Sequence, residues 1–318
     1  MDSQQAGIGL VQMEPVLGDT AENRRRSVNG IRQAMKRGGE LIILPELCSS
    51  GYAFESADDL ARAAEPIPGP ATDAWTAMAR EAGCYIVGGI AEEAGDKYFN
   101  TAVVVGPEGV VCRYRKLHLF DREKLLFSPG NLGLPVVDLP MGRIGLLICY
   151  DLRFVEVSRI LAIQGVDLIA VPTNWVPTFG PSIGNRDGLW DAEGHCPQGK
   201  TMQMLAGLNQ VFMAAADRVG TEGSCHFLGA SLVADPWGNI LLGPLSGSKE
   251  EVAVCTVDLQ ESQRARVRGP RIAPYEERRT DVYGDVLGYR LDPASVAPSM
   301  EAGMFRASSR TAARESTG

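Results

Sequence analysis

The sequence predicts an α/β fold of two packed sheets with helices on the outside. Three observations carry that prediction. Short apolar runs of strand length recur through most of the 318 residues. Amphipathic stretches of helix length separate several of them, and hairpin-like pairs joined by Gly/Pro turns interrupt the alternation.

Taken in order, Ala6 to Met13 reads as the first strand. Thr20 can cap a helix running to about Arg37, which Gly38-Gly39 terminates. Leu41 to Leu44 is a short buried strand leading directly into Pro45-Glu46. Pro70 to Gly83 is a helix opened by proline and closed by glycine. Cys84 to Glu92 and Tyr98 to Val105 read as strands, and the Gly106–Gly109 turn leads into Val110 to Lys116. The next apolar run, Arg143 to Cys149, ends in a sharp turn and a helix from about Arg153 to Gln164. The strand Asp167 to Val171 follows, then a Gly/Pro-rich loop from Thr173 to about Gly199. A helix to about Leu208, the strand Val211 to Asp217 and a hairpin group from Phe227 to Val257 complete the pattern. Beyond Gly284 the composition turns to Ala, Ser, Arg and Pro with little periodicity. The expected organisation is one domain over residues 1–284 and an extension over 285–318 that is mobile or docked on a partner subunit.

Composition narrows the function. A net charge of -8 disfavours nucleic acid and anionic membranes as partners. No apolar run reaches membrane-spanning length, and Met1 to Gln5 opens no secretory leader pattern. Seven cysteines, an odd number spread through apolar runs, fit free thiols in a reducing cytoplasm. Cys48, Cys84, Cys112 and Cys255 read as inert small hydrophobes. No metal-ligand spacing is present and no cofactor is expected; His195-Cys196 and Cys225-His226 read as a loop pair and a strand start rather than zinc ligands.

Cys149 stands apart because an apolar strand delivers it to a strand-to-helix turn, where a helix N-terminus can stabilise a thiolate. A histidine base is the usual partner of such a thiol, and His118 is the candidate. Carboxylates and a lysine at strand ends are the stronger signal. Glu46 follows one buried strand, Lys116 ends another, and polar residues past strand ends gather in a common crevice.

Glu46 in Pro45-Glu46-Leu47-Cys48, Lys116 in Tyr114-Arg115-Lys116-Leu117-His118 and Cys149 in Ile148-Cys149-Tyr150-Asp151-Leu152-Arg153-Phe154 resemble the nitrilase superfamily of carbon–nitrogen hydrolases. Phe127 to Asn131, Val171 to Trp175, Ala216 to Gly220 and Gly229 to Gly238 extend the match in family order, over some four-fifths of the chain. The Arg278 to Tyr283 segment resembles the one that often closes these domains. The resemblance implies a four-layer α-β-β-α sandwich that pairs into a homodimer or larger homo-oligomer. It implies a Glu-Lys-Cys triad of Glu46, Lys116 and Cys149, with Glu123 as a second glutamate. Val155 stands where many members have proline, which bears on the helix start and nearby dimer contacts.

The chemistry implied is thiol-dependent hydrolysis of a non-peptide C–N bond in a small amide or nitrile. A small carboxamide is the leading substrate, with a nitrile or an N-carbamoyl compound as alternatives and an inactive binding scaffold as the alternative of another class. Tyr52, Phe54, Tyr150, Asn174 and Trp175 are the candidate substrate contacts. The loops Tyr52 to Ala57 and Thr173 to Gly199 are expected to set specificity, with Trp190 suggesting an apolar pocket and Arg186 its exceptional cation. Asp217 and Arg218 are expected to pair structurally, outside the site.

Overall fold

A computed structural model of the chain describes residues 5–177 and 196–287. Trp190, Arg186 and His195 of the long loop, and residues 288–318 of the expected extension, lie outside the described residues. The first half runs β1 (Gln5–Gln12), α1 (Thr20–Lys36), β2 (Leu41–Ile43), α2 (Ala57–Ala63), α3 (Pro70–Ala82), β3 (Tyr85–Ala94), β4 (Lys97–Gly106) and β5 (Gly109–Arg115). The second continues with α4 (Glu123–Leu126), β6 (Val136–Leu139), β7 (Gly142–Leu146), a 3-10 turn (Cys149–Arg153), α5 (Val155–Ile163) and β8 (Leu168–Pro172). After these come α6 (Pro197–Asn209), β9 (Phe212–Ala216), β10 (Thr221–Glu222), β11 (Cys225–His226), β12 (Leu232–Ala234), β13 (Ile240–Leu242), β14 (Glu251–Asp258), α7 (Glu261–Ala265) and α8 (Thr280–Leu287). The chain divides into a compact unit ending at Tyr275 and a second beginning at Glu276, and α8 crosses the expected boundary at Gly284.

Two six-stranded sheets form the centre, in the orders β14-β1-β2-β3-β4-β5 and β13-β12-β9-β8-β7-β6. Each has a parallel middle and antiparallel edges: β1, β2 and β3 run parallel in one, β7, β8 and β9 in the other. The period-2 alternation of their strands puts one set of side chains between the sheets and the other under the helices. Ile8, Leu10, Leu41, Ile43 and Val104 of one sheet thus share a core with Ile144, Leu146, Leu168, Ala170 and Ala214 of the other. α1 and α3 cover the first sheet through Ile31, Ala34, Trp75 and Ala79. α5 and α6 cover the second through Leu161, Ala162, Met202 and Leu205. This is the four-layer α-β-β-α sandwich the resemblance implied.

Some element boundaries differ from the sequence reading. The side chain of Asp19, not Thr20, caps α1 by accepting the Glu22 N–H at 3.0 Å. The strand carrying Cys149 stops at Leu146, and the α-helix starts at Val155 rather than Arg153. The reason is Asp151, whose carboxylate accepts the Ile148 N–H at 3.0 Å and closes a tight 3-10 turn before any α-helical bond can form. Cys149 opens that turn with φ +44°, a left-handed conformation costing a non-glycine residue about 1–3 kcal/mol. The expected α-helix N-terminus beneath its sulfur is therefore not there.

Candidate active site

Each half of the sandwich delivers polar residues just past its strands, where an α/β sheet leaves its crevice. Glu46 follows β2 after Leu44 and Pro45, and its backbone lies so close to β3 that a Cβ on Gly89 would fall 2.6 Å from the Glu46 Cα. Only glycine fits at that crossing. Lys116 follows β5 and is held there by backbone bonds from Lys116 N–H to Asn100 and from Gly130 N–H to Lys116, both 2.8 Å. From the second sheet, Cys149 follows β7, while Thr173 and Asn174 follow β8.

These groups meet in a dry interior. Glu46 and Lys116 are fully buried, and Lys116 Nζ donates to Glu46 Oε1 at 2.6 Å and to Glu123 Oε1 at 2.8 Å. Asn100 Nδ2 donates to the same Glu46 oxygen at 2.7 Å, leaving Glu46 Oε2 buried without a partner. Glu123 Oε1 also accepts the Tyr52 hydroxyl at 2.9 Å, and its Oε2 accepts the Phe120 N–H at 3.2 Å. Burial pushes the Glu46 carboxyl above its usual range; the Lys116 charge opposes that shift and Glu123 reinforces it. Burial by itself would lower the Lys116 ammonium, but Glu123 and Glu46 outweigh it and hold the charge firmly in place.

Cys149 is half-buried, and its thiol is pushed well above the ordinary cysteine range, first by burial and then by the charge of Glu46. Lys116, the Thr173 hydroxyl and the Asn174 backbone N–H pull in the other direction without reversing it. The sequence reading expected Lys116 and a helix terminus to lower this pKa. The resting group is a thiol because the carboxylate beside it and the loss of water outweigh one ammonium.

Two cavities adjoin the cluster. One of about 40 Å³ is lined by Cys149, Tyr150, Phe120, Asn174, Trp175 and Gln198. Another of about 350 Å³ is lined by Tyr52, Phe54, Phe120, Glu123, Val176 and the Gly223–His226 segment. Of the candidate contacts, Tyr150, Asn174 and Trp175 therefore border the thiol, while Tyr52 and Phe54 border the outer space beyond Glu123. Both polar atoms of the buried Asn174 side chain lack hydrogen-bond partners. Phe54 is also packed with Leu60 and Phe127, so its ring is as much core as wall.

Other sequence candidates are drawn elsewhere. His118 Nδ1 lies 2.8 Å from Asp151 Oδ1, and its ring stacks on Phe154 at 3.6 Å. Asp217 Oδ1 accepts the Trp175 N–H at 2.9 Å, whereas the Arg218 guanidinium bonds Glu222 and the Pro15 carbonyl. The expected Asp217–Arg218 side-chain pair thus gives way to two separate attachments. Among the described residues no cluster of metal-ligating side chains occurs. Asn100, Phe120, Gln198 and Glu222 escaped the sequence reading. Asn100 left one faint signal, a polar amide inside the Tyr98–Val105 strand.

The carbon–nitrogen hydrolase family model matches residues 7–267, more than four-fifths of the chain. The chain belongs to the carbon–nitrogen hydrolase family. Among curated members of that family, a nitrilase from Pyrococcus abyssi is 38% identical, with 87% of this chain and 98% of the relative covered. The human omega-amidase is 31% identical over 87% of this chain and 96% of its own. A Saccharomyces cerevisiae structure from branch 10 of the nitrilase superfamily superposes with a TM-score of 0.71 at 26% identity, covering 84% of this chain and 95% of that one. A Nesterenkonia amidase structure gives a TM-score of 0.70 at 23% identity, covering 90% and 98%, which is a likeness of fold. This carbon–nitrogen hydrolase is accordingly an enzyme, and no helix among its described residues is long and apolar enough to cross a membrane.

Proposed function

We propose that this hydrolase converts a small carboxamide to a carboxylic acid and ammonia, with Cys149 as nucleophile. The observation that carries the reading is the division of labour on Glu46. One oxygen is held by Lys116 and Asn100, the other is buried and unpartnered, and the Glu46 charge acts on the Cys149 thiol, helping burial to raise its pKa. A carboxylate in that state is a base with a vacant site, and its raised pKa favours taking a proton.

The steps follow from these groups. Glu46 Oε2 takes the thiol proton as the sulfur attacks the amide carbon, so the thiolate forms only as the S–C bond does. Lys116 stabilises the negative charge growing on the carbonyl oxygen, assisted by backbone N–H groups of the Cys149 turn. The tetrahedral adduct collapses; Glu46 returns its proton to the departing nitrogen, and ammonia leaves a thioester. Water then enters, Glu46 removes its proton, the new tetrahedral adduct expels the sulfur, and the proton goes back to Cys149. Glu123 holds Lys116 through the cycle and keeps its ammonium oriented.

The omega-amidase relatives support an amide substrate. The Pyrococcus nitrilase supports a second reading, a nitrile hydrolysed through a thioimidate by the same groups. The inner cavity is lined mainly by aromatic, apolar and uncharged polar side chains, with Arg153 its one charged residue, which suits a compact, largely apolar acyl group. With all seven cysteines free, we also assign the enzyme to a reducing, cytoplasmic compartment.

Ammonia release from a panel of aliphatic and aromatic amides, the matching nitriles and ureido compounds tests the assignment. Amides are expected to turn over fastest. Cys149→Ala should release none, and Glu46→Gln should lose at least about a hundredfold in kcat. Wild-type turnover in Cys149→Ala would overturn the mechanism, and faster release from every nitrile would replace the amide with the nitrile.

A further inference from the structure

Outside the Glu46–Lys116–Cys149 cluster lies a second buried ion pair that no step above uses. Arg218 is fully buried and Glu222 nearly so, and the two are bonded directly. Arg218 is fixed on three sides. Its Nη2 donates to the Pro15 carbonyl at 3.0 Å, and its guanidinium lies over the Phe227 ring at 4.1 Å. Glu222 then spends its remaining oxygen on the active-site loop: Oε2 accepts the backbone N–H groups of Tyr52 and Ala53 at 2.8 and 3.0 Å. Phe227 completes the contact by packing edge-on against the Tyr52 ring at 5.9 Å.

The backbone is built around this grip. Gly51 adopts φ +83°, and a Cβ there would fall 2.6 Å from Leu17 Cα and 3.1 Å from Glu222 Oε1. The carboxylate is therefore seated against the chain at the residue preceding Tyr52. At the other end of the same side chain, the Tyr52 hydroxyl donates to the Glu123 oxygen that Lys116 also holds. A continuous line of charge-assisted bonds runs from Arg218 to Glu222, through the Tyr52 backbone and hydroxyl to Glu123, and on to Lys116.

We infer that Glu222, anchored by Arg218, is a positioning residue that sets the Tyr52 hydroxyl on Glu123 and so orients the Lys116 ammonium. The inference rests on the assignment of Lys116 under Proposed function. A buried ion pair contributes little net stability when compared with apolar packing. Its value here is directional: two backbone N–H groups fix the root of Tyr52, and the hydroxyl delivers that constraint about one side-chain length away. Because Glu222 touches no reacting atom, its loss should affect kcat through Tyr52 and leave substrate affinity nearly unchanged.

A double-mutant cycle tests this. Tyr52→Phe removes the hydroxyl alone. Glu222→Gln weakens the grip on the loop, and Glu222→Asp keeps the charge facing Arg218 while withdrawing the carboxylate from the two N–H groups. Each single variant is expected to lower kcat by roughly tenfold to a hundredfold, with KM changed less than about twofold. In the Tyr52→Phe background, either Glu222 variant should cost no further rate. Multiplying effects in the double variant, or a lowered Tm with unchanged kcat, would overturn the proposal. Should Glu222→Gln fail to fold, the Glu222→Asp and Tyr52→Phe pair decides the question alone. Alkylation of Cys149 by iodoacetamide, measured across the same cycle, needs no substrate and should show the same non-additivity. Cys149→Ala serves as the control that separates the two claims. Ammonia release surviving in it refutes the thiol mechanism and the inference with it, whereas its silence alongside multiplying effects refutes only the role of Glu222.

Discussion

Asp217 shows how far one side chain can depart from its sequence reading. It is fully buried, its Oδ1 accepts the Trp175 N–H, and its Oδ2 has no partner. Burial pushes its carboxyl well above the usual range, more than the Trp175 and Arg218 N–H groups pull it down. The folded chain therefore binds this proton more tightly than the unfolded chain does. The stability it contributes is fully present below the unfolded pKa of about 3.9 and is lost as pH rises toward the folded value. Asp217→Asn keeps an acceptor for Trp175 and removes that loss. It should stabilise the protein by at least about 1 kcal/mol at about pH 8, with the gain disappearing near about pH 4. Urea midpoints at the two pH values measure it, and a gain independent of pH would mean that the carboxyl is ionised in the fold. Lys116→Met is the opposite case. It leaves Glu46 and Glu123 buried without their cation and should cost about 3–5 kcal/mol, read from the same denaturation curves. Glu46, Lys116 and Cys149 were legible because each follows an apolar strand within an ordered set of motifs, whereas Glu123, which opens α4, was legible only through the resemblance. Asn100 and Glu222 were not, since an amide inside a strand and a carboxylate in a short hairpin carry no such pattern.

At the scale of elements, the turn after β7 depends on one acceptor. Asp151 takes the Ile148 N–H at 3.0 Å, the Tyr114 hydroxyl at 2.7 Å and the His118 N–H at 3.1 Å. Tyr114 and His118 flank Lys116, so the same carboxylate joins the end of β5 to the Cys149 turn across the sandwich. Asp151→Ala strands these three donors and frees the His118 ring as well, and should destabilise the fold by about 3 kcal/mol or more. Tyr114→Phe removes one donor and leaves the acceptor engaged, at a cost of about 1 kcal/mol. Equal losses for the two variants in urea denaturation would show that Asp151 is no hub. Most sheet strands were legible from apolar runs, to within about two residues at their ends, but the edge strand β6 was passed over as loop and β7 stops at Leu146, short of Cys149. What escaped was short or set by side chains. α2 spans seven residues and is announced only by Ser56, which caps it through the Asp59 N–H. The delayed start of α5 was hidden because apolar periodicity runs smoothly through Arg153 and Phe154. It cannot register an aspartate that holds the preceding turn.

Across the whole molecule, the two helical layers differ in what they leave to water. Among the described residues, α1 and α3 expose no large hydrophobic side chain, so their outer surface is finished. α5 and α6 leave Val155, Ile163, Met204 and Leu208 exposed at 59%, 42%, 64% and 56%. Met204 and Leu208 are four residues apart on α6 and so share one face of that helix. Four exposed apolar side chains on one helical layer and none on the other single that layer out as the one to test for association. For the homodimer that the resemblance implies, we propose the α5–α6 layer as the pairing surface, where Val155 also departs from the family's proline. Repeating this layer against itself by a two-fold axis would bury both sets of side chains at once. Met204→Asp with Leu208→Asp places two carboxylates in each copy of that surface. Sedimentation should then give a monomer where the unmodified chain gives a dimer, with the urea midpoint of the isolated fold little changed because both residues already face water. A monomeric wild type at about 10 µM, well above the Kd of a typical obligate pair, would sink the assignment. A double variant that stays dimeric would move the interface to another face.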